Sequence, residues 1–175
     1  MTLKQVIQEY KDYVTLCLGE KDPEVQHIVD LHNLGFLPLK IKALPEGTVS
    51  PIRVPQATIE NTDPRFFWLT NFLETLLSCE LWHKSTCATI AKKYREILES
   101  YALLTVGNLD FVQFQGHDFS MRGHTTVDSA IAAGAAHLTS FVGSDTVPSV
   151  AYLAKYYNAD PSKELVGTSV KATEH

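Results

Sequence analysis

Two strand–loop–helix patterns follow one another between residues 111 and 157, and they leave the chain few folds to choose from. The run Phe111-Val112-Gln113-Phe114-Gln115 alternates apolar and polar residues, which predicts a strand. A polar turn follows, Gly116-His117-Asp118-Phe119-Ser120-Met121-Arg122-Gly123. The small-residue run from Val127 to Leu138 then predicts a closely packed helix. The pattern repeats with Leu138 to Val142 as a short buried strand, Gly143-Ser144-Asp145-Thr146 as a loop, and Val147 to Tyr157 as a helix. Strand, loop and helix in that order form a βα unit, and such loops are where α/β folds bind ligands. Two neighbouring loops of this kind would present Phe119, Arg122 and Asp145 on one face. An apolar plane, a fixed cation and a carboxylate suit a planar aromatic ligand with a polar substituent, beside an anionic co-substrate.

The remainder of the chain is expected to support these units. Residues 3–18 carry Val6, Tyr10, Tyr13, Val14 and Cys17 at helical spacing, and Glu24 to Asn33 reads as a second helix that Gly35 stops. Leu37 to Leu44, Pro51 to Val54 and Ala57 to Asn61 are expected strands, with Pro45-Glu46-Gly47 as a turn. Asp63-Pro64 is a helix start. A helix from Pro64 to about Leu81, with a broad apolar stripe, and another from Ser85 to about Leu104 are expected to form a helical pair. In the second, Ala88, Ala91, Tyr94, Ile97, Leu98 and Tyr101 are expected inside, with Lys92, Lys93, Arg95, Glu96 and Glu99 solvated. After Gly107-Asn108, the βα units follow, and Leu165 to Lys171 reads as the next strand. The expected division is 1–62 for N-terminal helices and a small β subdomain, 63–106 for the helical pair, and 107–175 for the βα units.

The 175 residues suffice for one ordinary core, and 45% apolar with 20% charged residues is a globular composition. A net charge of −5 argues against a general nucleic-acid binder, because no excess of Lys and Arg can displace counterions. No apolar run approaches the roughly 20 residues of a membrane span, and Met1-Thr2-Leu3-Lys4-Gln5 lacks a signal-peptide core. Cys17, Cys79 and Cys87 show no CxxC spacing, which suits reduced thiols in a cytoplasmic protein. No GxGxxG or GxxxxGK[ST] loop occurs. His117, His124 and His137 are not at metal-ligand spacing, so no protein-bound metal site is expected.

The candidate residues each have a plain structural alternative. Phe119, at a strand end, is either core or a stacking wall. Arg122 is either a surface cation, or a partner of Asp118, or an anion ligand. Asp145 is an N-cap for the helix near Val147, a ligand contact, or both. Asp118 reads as structural. His175, the last residue of the sequence, is a frayed end or tag remnant on the residues alone.

These motifs also resemble those of the nicotinamide phosphoribosyltransferase family. The resemblance lies in His117-Asp118-Phe119 with Arg122-Gly123, in Gly143-Ser144-Asp145-Thr146-Val147, and in Gly167-Thr168-Ser169-Val170 closing on Glu174-His175. Upstream, the stretches Leu37 to Gly47, Glu60 to Pro64 and Trp68 to Asn71 share it. It implies an α/β chain with an incomplete type II phosphoribosyltransferase fold, a partial (β/α) barrel with a small appended β region. It implies transfer of phosphoribosyl from phosphoribosyl pyrophosphate to nicotinamide, giving nicotinamide mononucleotide and diphosphate in NAD biosynthesis. By the same resemblance Phe119 stacks on the pyridine ring, Arg122 meets the diphosphate, and Ser169 belongs to the substrate-binding set. His175 becomes phosphorylated by ATP, which couples ATP hydrolysis to transfer. Lys171 and Thr173 stand where the family more often has proline and alanine. Mg2+ would arrive on the phosphates.

The resemblance gives Asp145 the carboxamide nitrogen as partner. A neutral amide offers two donors, whereas nicotinate brings a second carboxylate. Two like charges about 4 Å apart repel by roughly 4 kcal/mol at an effective dielectric of 20, or about a thousandfold in affinity. Nicotinamide is therefore expected over nicotinate, with nicotinate phosphoribosyltransferase as the alternative within the class.

A closed (β/α)₈ barrel needs about 250 residues. Beside the family, this chain is expected to be partial, lacking an N-terminal segment and a C-terminal remainder. A split gene, a truncated gene or an expression fragment would each produce it. The whole enzyme is expected to be a homodimer, or to need a complementing C-terminal chain. The isolated chain is expected to be inactive or very weak, and a non-catalytic fragment that associates with such a subunit is the alternative from another class.

Overall fold

Thr2 opens the first helix, α1 (Leu3–Leu18), with a capping box: its hydroxyl accepts from the Gln5 amide while the Gln5 side chain accepts from the Thr2 amide. Gly19 closes it at φ 71°, a left-handed conformation in which a Cβ would be strained. Gly35, at φ 77°, ends α2 (Gln26–Leu34) in the same way. β1 (Leu39–Ala43) pairs antiparallel with β2 (Ala57–Asn61), Leu39 lying opposite Asn61 and Ala43 opposite Ala57. These elements stand where the apolar spacing places them. The strand expected over Pro51 to Val54 is instead a turn. The Val54 amide donates to the Pro51 carbonyl at 3.1 Å, and Arg53 takes φ 73°. Prolines at 51 and 55 cannot donate to a ladder, so a hairpin of β1 and β2 leaves them in its loop.

This computed structural model describes residues 1–171. They fall into two units. The first holds Met1–Pro45 and Ser50–Thr75; the second holds Glu46–Val49 and the described residues from Leu76 onward. In the first, Tyr10 meets His27 edge-on at 5.4 Å, His27 meets Trp68 at 5.0 Å, and Trp68 meets Phe72 at 5.7 Å. This aromatic file borders an open hollow, but its charged neighbours are paired close by: Glu24 with His27 and Arg65 with Asp63.

Asp63 caps a short 3-10 turn, Pro64–Phe66, through the Arg65 amide. α3 (Leu69–Thr105) then runs for 37 residues without a break. The expected helical pair is thus one helix. Nothing in Leu81-Trp82-His83-Lys84 breaks it. Thr86 and Thr89 donate to the carbonyls of Trp82 and Ser85, at 2.9 and 2.7 Å, so they continue the helix instead of starting a new one. Its buried face also differs from the expected one. Ala91 and Ala102 are buried, whereas Tyr94, Ile97 and Tyr101 are more than half exposed. Arg95, expected in solvent, is half-buried, paired with Glu99 and donating to the Ser140 carbonyl at 2.9 Å. A guanidinium can turn inward where a turn carbonyl needs a donor.

In the second unit, the strand expected at Phe111 to Gln115 is a 3-10 turn, Val112–Phe114, and pairing begins two residues beyond that run at β3 (His117–Asp118). α4 (Val127–His137) leads to β4 (Gly143–Ser144), and α5 (Pro148–Tyr156) leads to Thr168. β3 pairs parallel with β4, His117 opposite Gly143 and Asp118 opposite Ser144, and Gly143 bridges parallel to Thr168. The expected strand at Leu138 to Val142 is a turn after α4. Of Leu165 to Lys171, the bridge takes only Thr168. The βα alternation is therefore present in short form: three parallel segments in chain order, linked by two helices. The arrangement is mixed α/β, and the described residues form no closed barrel. Among them no helix is long and apolar enough to cross a membrane.

α4 packs through small residues. Ala130, Ala132, Ala133, Ala135 and Ala136 are buried, as is Gly134. A Cβ at Gly134 would collide with the Ser149 hydroxyl and stand 3.0 Å from Thr146 Cβ and 3.1 Å from Asp118 Oδ2. Gly134→Ala should gain about 1 kcal/mol of helix propensity, against overpacking of about 1–3 kcal/mol. It also displaces the Ser149 hydroxyl from the Ile131 carbonyl. The expected result is a net loss of about 1–2 kcal/mol in urea unfolding; an unchanged midpoint would contradict the packing described.

Candidate functional site

The three parallel segments end side by side, and each is followed by a polar or aromatic side chain. Phe119 follows β3, Asp145 follows β4, and Ser169 follows Thr168. The backbone holds these ends in line: the Asp145 amide donates to the Asp118 carbonyl at 2.8 Å, and the Ser144 amide to the Thr168 carbonyl at 2.8 Å.

Below the ends lies Asp118, only 8% exposed. Its Oδ1 accepts from the Ser120 amide at 2.9 Å, and its Oδ2 from the Thr146 hydroxyl at 2.7 Å and the Ser144 hydroxyl at 3.4 Å. Burial is the largest influence on this carboxyl and raises its pKa. Hydrogen bonds from Ser120 and Thr146, with His137 nearby, outweigh burial and hold it below the ordinary aspartate value. Asp118 is structural, as expected: it ties the loop after β3 to the loop after β4. The Cys87 thiol is pushed up by burial and by Asp118, which leaves it a poor nucleophile.

Asp145 does not cap α5. The cap residue is Val147, Pro148 brings no N–H, and the amides of Ser149 and Val150 donate to the carbonyls of Thr146 and Val147 at 2.9 and 3.1 Å, so no side-chain cap is made. Asp145 Oδ1 instead receives His117 Nε2 at 2.5 Å and the Ser169 hydroxyl at 3.1 Å. The His117 ring lies 4.5 Å from the Phe119 ring at 30°. Gly143 makes room for it, since a Cβ there would stand 2.7 Å from His117 Nδ1. Phe119 is 59% exposed, so it is not a core residue. His137 Nε2 faces two carbonyls, of Gly116 at 3.3 Å and Gly143 at 3.1 Å; both can only accept, so this nitrogen carries the hydrogen.

The structure thus brings Phe119, Asp145 and Ser169 together, through His117. Arg122 lies on the exposed 3-10 turn Ser120–Gly123. Of the alternatives for Arg122, the pairing with Asp118 does not form; among the described residues the donors on Asp118 are amide and hydroxyl groups. His175 lies outside the described residues. His117 is the residue at the site to which the sequence alone gives no role, although it lies in the motif with Phe119. Its signal was its place two residues before Phe119, on the same face of the strand. Among the described residues no group of three His, Cys, Asp or Glu could hold a metal.

An exposed ring beside an anchored carboxylate can receive a flat heteroaromatic ring that carries a hydrogen-bond donor. Residues 114–175, which contain every one of these groups, match the nicotinate phosphoribosyltransferase (NAPRTase) family. A nicotinamide phosphoribosyltransferase of Acinetobacter baylyi is 50% identical over 170 residues, covering 97% of this chain and 33% of that protein. This chain is thus similar in sequence to proteins named nicotinamide phosphoribosyltransferase. Proteins of that name from Xanthomonas campestris and Mycoplasma pneumoniae are 36% and 38% identical, over 81% and 80% of this chain. The chain spans about a third of the length of these nicotinamide phosphoribosyltransferases, 29–33% of each.

The depressed carboxyl of Asp118 has a stability consequence. A group whose folded pKa lies below its unfolded value of about 3.9 stabilises the fold above that pH, and the effect is lost as pH falls through the folded value. Between about pH 5 and pH 2 the melting temperature should therefore fall more steeply for the wild type than for Asp118→Asn. Parallel curves would mean that Asp118 is not the tie described.

Proposed function

We propose that this chain is part of a nicotinamide phosphoribosyltransferase with an incomplete type II phosphoribosyltransferase barrel. The observation that carries the reading is the meeting of Phe119, Asp145 and Ser169 at three successive strand ends, in a chain half identical to a protein of that name. In the reaction the pyridine nitrogen forms a bond to the anomeric carbon of phosphoribosyl pyrophosphate. The bond from that carbon to diphosphate oxygen breaks, and diphosphate leaves with the electron pair.

Each residue has a place in this scheme. Phe119 supplies a plane for the pyridine ring; stacking adds about 0.5–1.5 kcal/mol beyond area burial. Asp145 accepts from the carboxamide nitrogen, and Ser169 completes the polar edge. Arg122 offers diphosphate a planar fork of donors. Positive charge fixed near the departing diphosphate is the main electrostatic aid to such a step. Magnesium arrives as part of the phosphate substrate. His175 is the proposed site of phosphorylation by ATP. A homodimer, or a complementing C-terminal chain, would supply the remaining contacts in a cytoplasmic enzyme of NAD biosynthesis.

Titration calorimetry of the 175-residue chain with nicotinamide and with nicotinate tests the reading. Nicotinamide should bind more tightly by up to about a thousandfold, and Asp145→Asn should bring the two affinities together. Phe119→Ala should weaken nicotinamide by about three- to tenfold. Equal affinities in the wild type would favour a nicotinate enzyme. Turnover assayed with and without a complementing C-terminal chain then separates an enzyme part from a binding fragment: restored synthesis of nicotinamide mononucleotide is the expected result.

A further inference from the structure

We infer that His117 is a positioning residue that sets Asp145 and Phe119 relative to one another and thereby the preference for a carboxamide over a carboxylate. The inference rests on the functional reading above and deepens it. A strand alternates its faces, so His117 and Phe119 share one face while Asp118 turns into the core. From that shared face the imidazole makes two contacts at once. Its ring lies 4.5 Å from the Phe119 ring, and its Nε2 stands 2.5 Å from Asp145 Oδ1.

Carboxylate oxygens only accept, so Nε2 is the donor of that bond and carries the hydrogen. Ser169 donates to the same oxygen at 3.1 Å. A carboxylate on a single bond can rotate; two donors converging on one of its oxygens hold its plane. Removing His117 would leave the longer Ser169 bond at that oxygen and would take away the ring that backs Phe119. Gly143 is part of the same arrangement. Its parallel pairing with His117 puts it opposite the imidazole, where a Cβ would crowd Nδ1 at 2.7 Å. Any side chain at 143 would push the imidazole off Asp145. The Asp145–His117 pair is itself well shielded, its side chains 9% and 20% exposed, so the hydrogen bond competes with little water.

Two substitutions separate the roles of the ring. His117→Phe keeps an aromatic beside Phe119 and removes the donor. His117→Gln keeps a donor at a similar reach and removes the ring. By calorimetry on the full chain, the preference for nicotinamide over nicotinate should fall about tenfold or more in His117→Phe, as expected for loss of a hydrogen bond to a charged group. His117→Gln should keep most of the preference while binding both bases more weakly. Nitrogen-15 spectra of the histidines supply a reading that needs no ligand. His117 should appear as the Nε2–H form with a slowly exchanging proton, and Asp145→Asn should abolish that slow exchange. An unchanged preference in His117→Phe, or a His117 signal indifferent to Asp145→Asn, overturns the inference. If the wild-type chain binds neither base, the functional reading fails and the specificity role fails with it, but the spectra still decide whether His117 holds Asp145.

Discussion

Burial of the Asp118 carboxylate is the constraint on which the second unit depends. An ion taken from water without partners costs several kcal/mol, and hydrogen bonds to a charged group offset about 1.5–3 kcal/mol each. The three donors come from two different loops: Ser120 after β3, and Ser144 and Thr146 around the end of β4. Keeping the carboxylate satisfied therefore keeps the loops together. Gly134 is the steric counterpart, because α4 must approach closely enough to seal the cluster from water. The groups proposed to face a ligand, Phe119 and Asp145, are each the next residue beyond this tie. Their separation is set by core chemistry and not by loop chemistry.

Small side chains do most of the sealing. In the second unit the largest fully buried side chains among the described residues are Val112, Thr146 and Ser149, and α4 adds alanines. Burial of alanine removes little apolar area, at about 25 cal/mol per Å². Backbone pairing and the Asp118 network must then carry an unusual share of the specificity in the second unit. That is also why the Ala-rich run was legible as a close-packed helix: residues without bulk are useful where a helix lies near a sheet.

Local signals were the most readable. The stops of α1 and α2, the strand β1 and the close-packed helix α4 follow from Gly19, Gly35, the alternation near Leu39 and the small-residue run after Val127, each acting within a few residues. Elements fixed by distant partners were misplaced. Phe111 to Gln115 alternates like a strand, yet the pairing that exists begins at His117, because His117 faces Gly143, and only a glycine admits the imidazole there. A two-residue strand has no alternation to detect. The face of α3 was misjudged for a similar reason: Arg95 turns in toward a carbonyl 45 residues away, which no periodicity records. At the site, the motifs point to Phe119, Asp145 and Ser169, and the structure places these three at neighbouring strand ends. Of the alternatives for Asp145, the cap does not form, and its bond to His117 joins residues 28 apart, which no local pattern records.

The spacing of a parallel sheet bears on the proposed fit of a substituted pyridine to successive strand ends. Neighbouring strands lie about 4.8 Å apart. A residue just beyond one strand and a residue just beyond the next are thus offset by about the width of one aromatic ring. If a ring rests on Phe119, its substituent falls toward the end of β4, where Asp145 stands, and then toward Ser169. The lateral order of chemistry, apolar plane, acid, hydroxyl, is the order of the strands. A single loop could hold the same three groups, but it would have to pay the entropy of fixing each one. Here the ladder orders them, and the imidazole of His117 spans the first step between the plane and the acid. A ligand recognised in this way is read along the edge of the sheet, so its substituent is discriminated by whichever side chain ends the second strand.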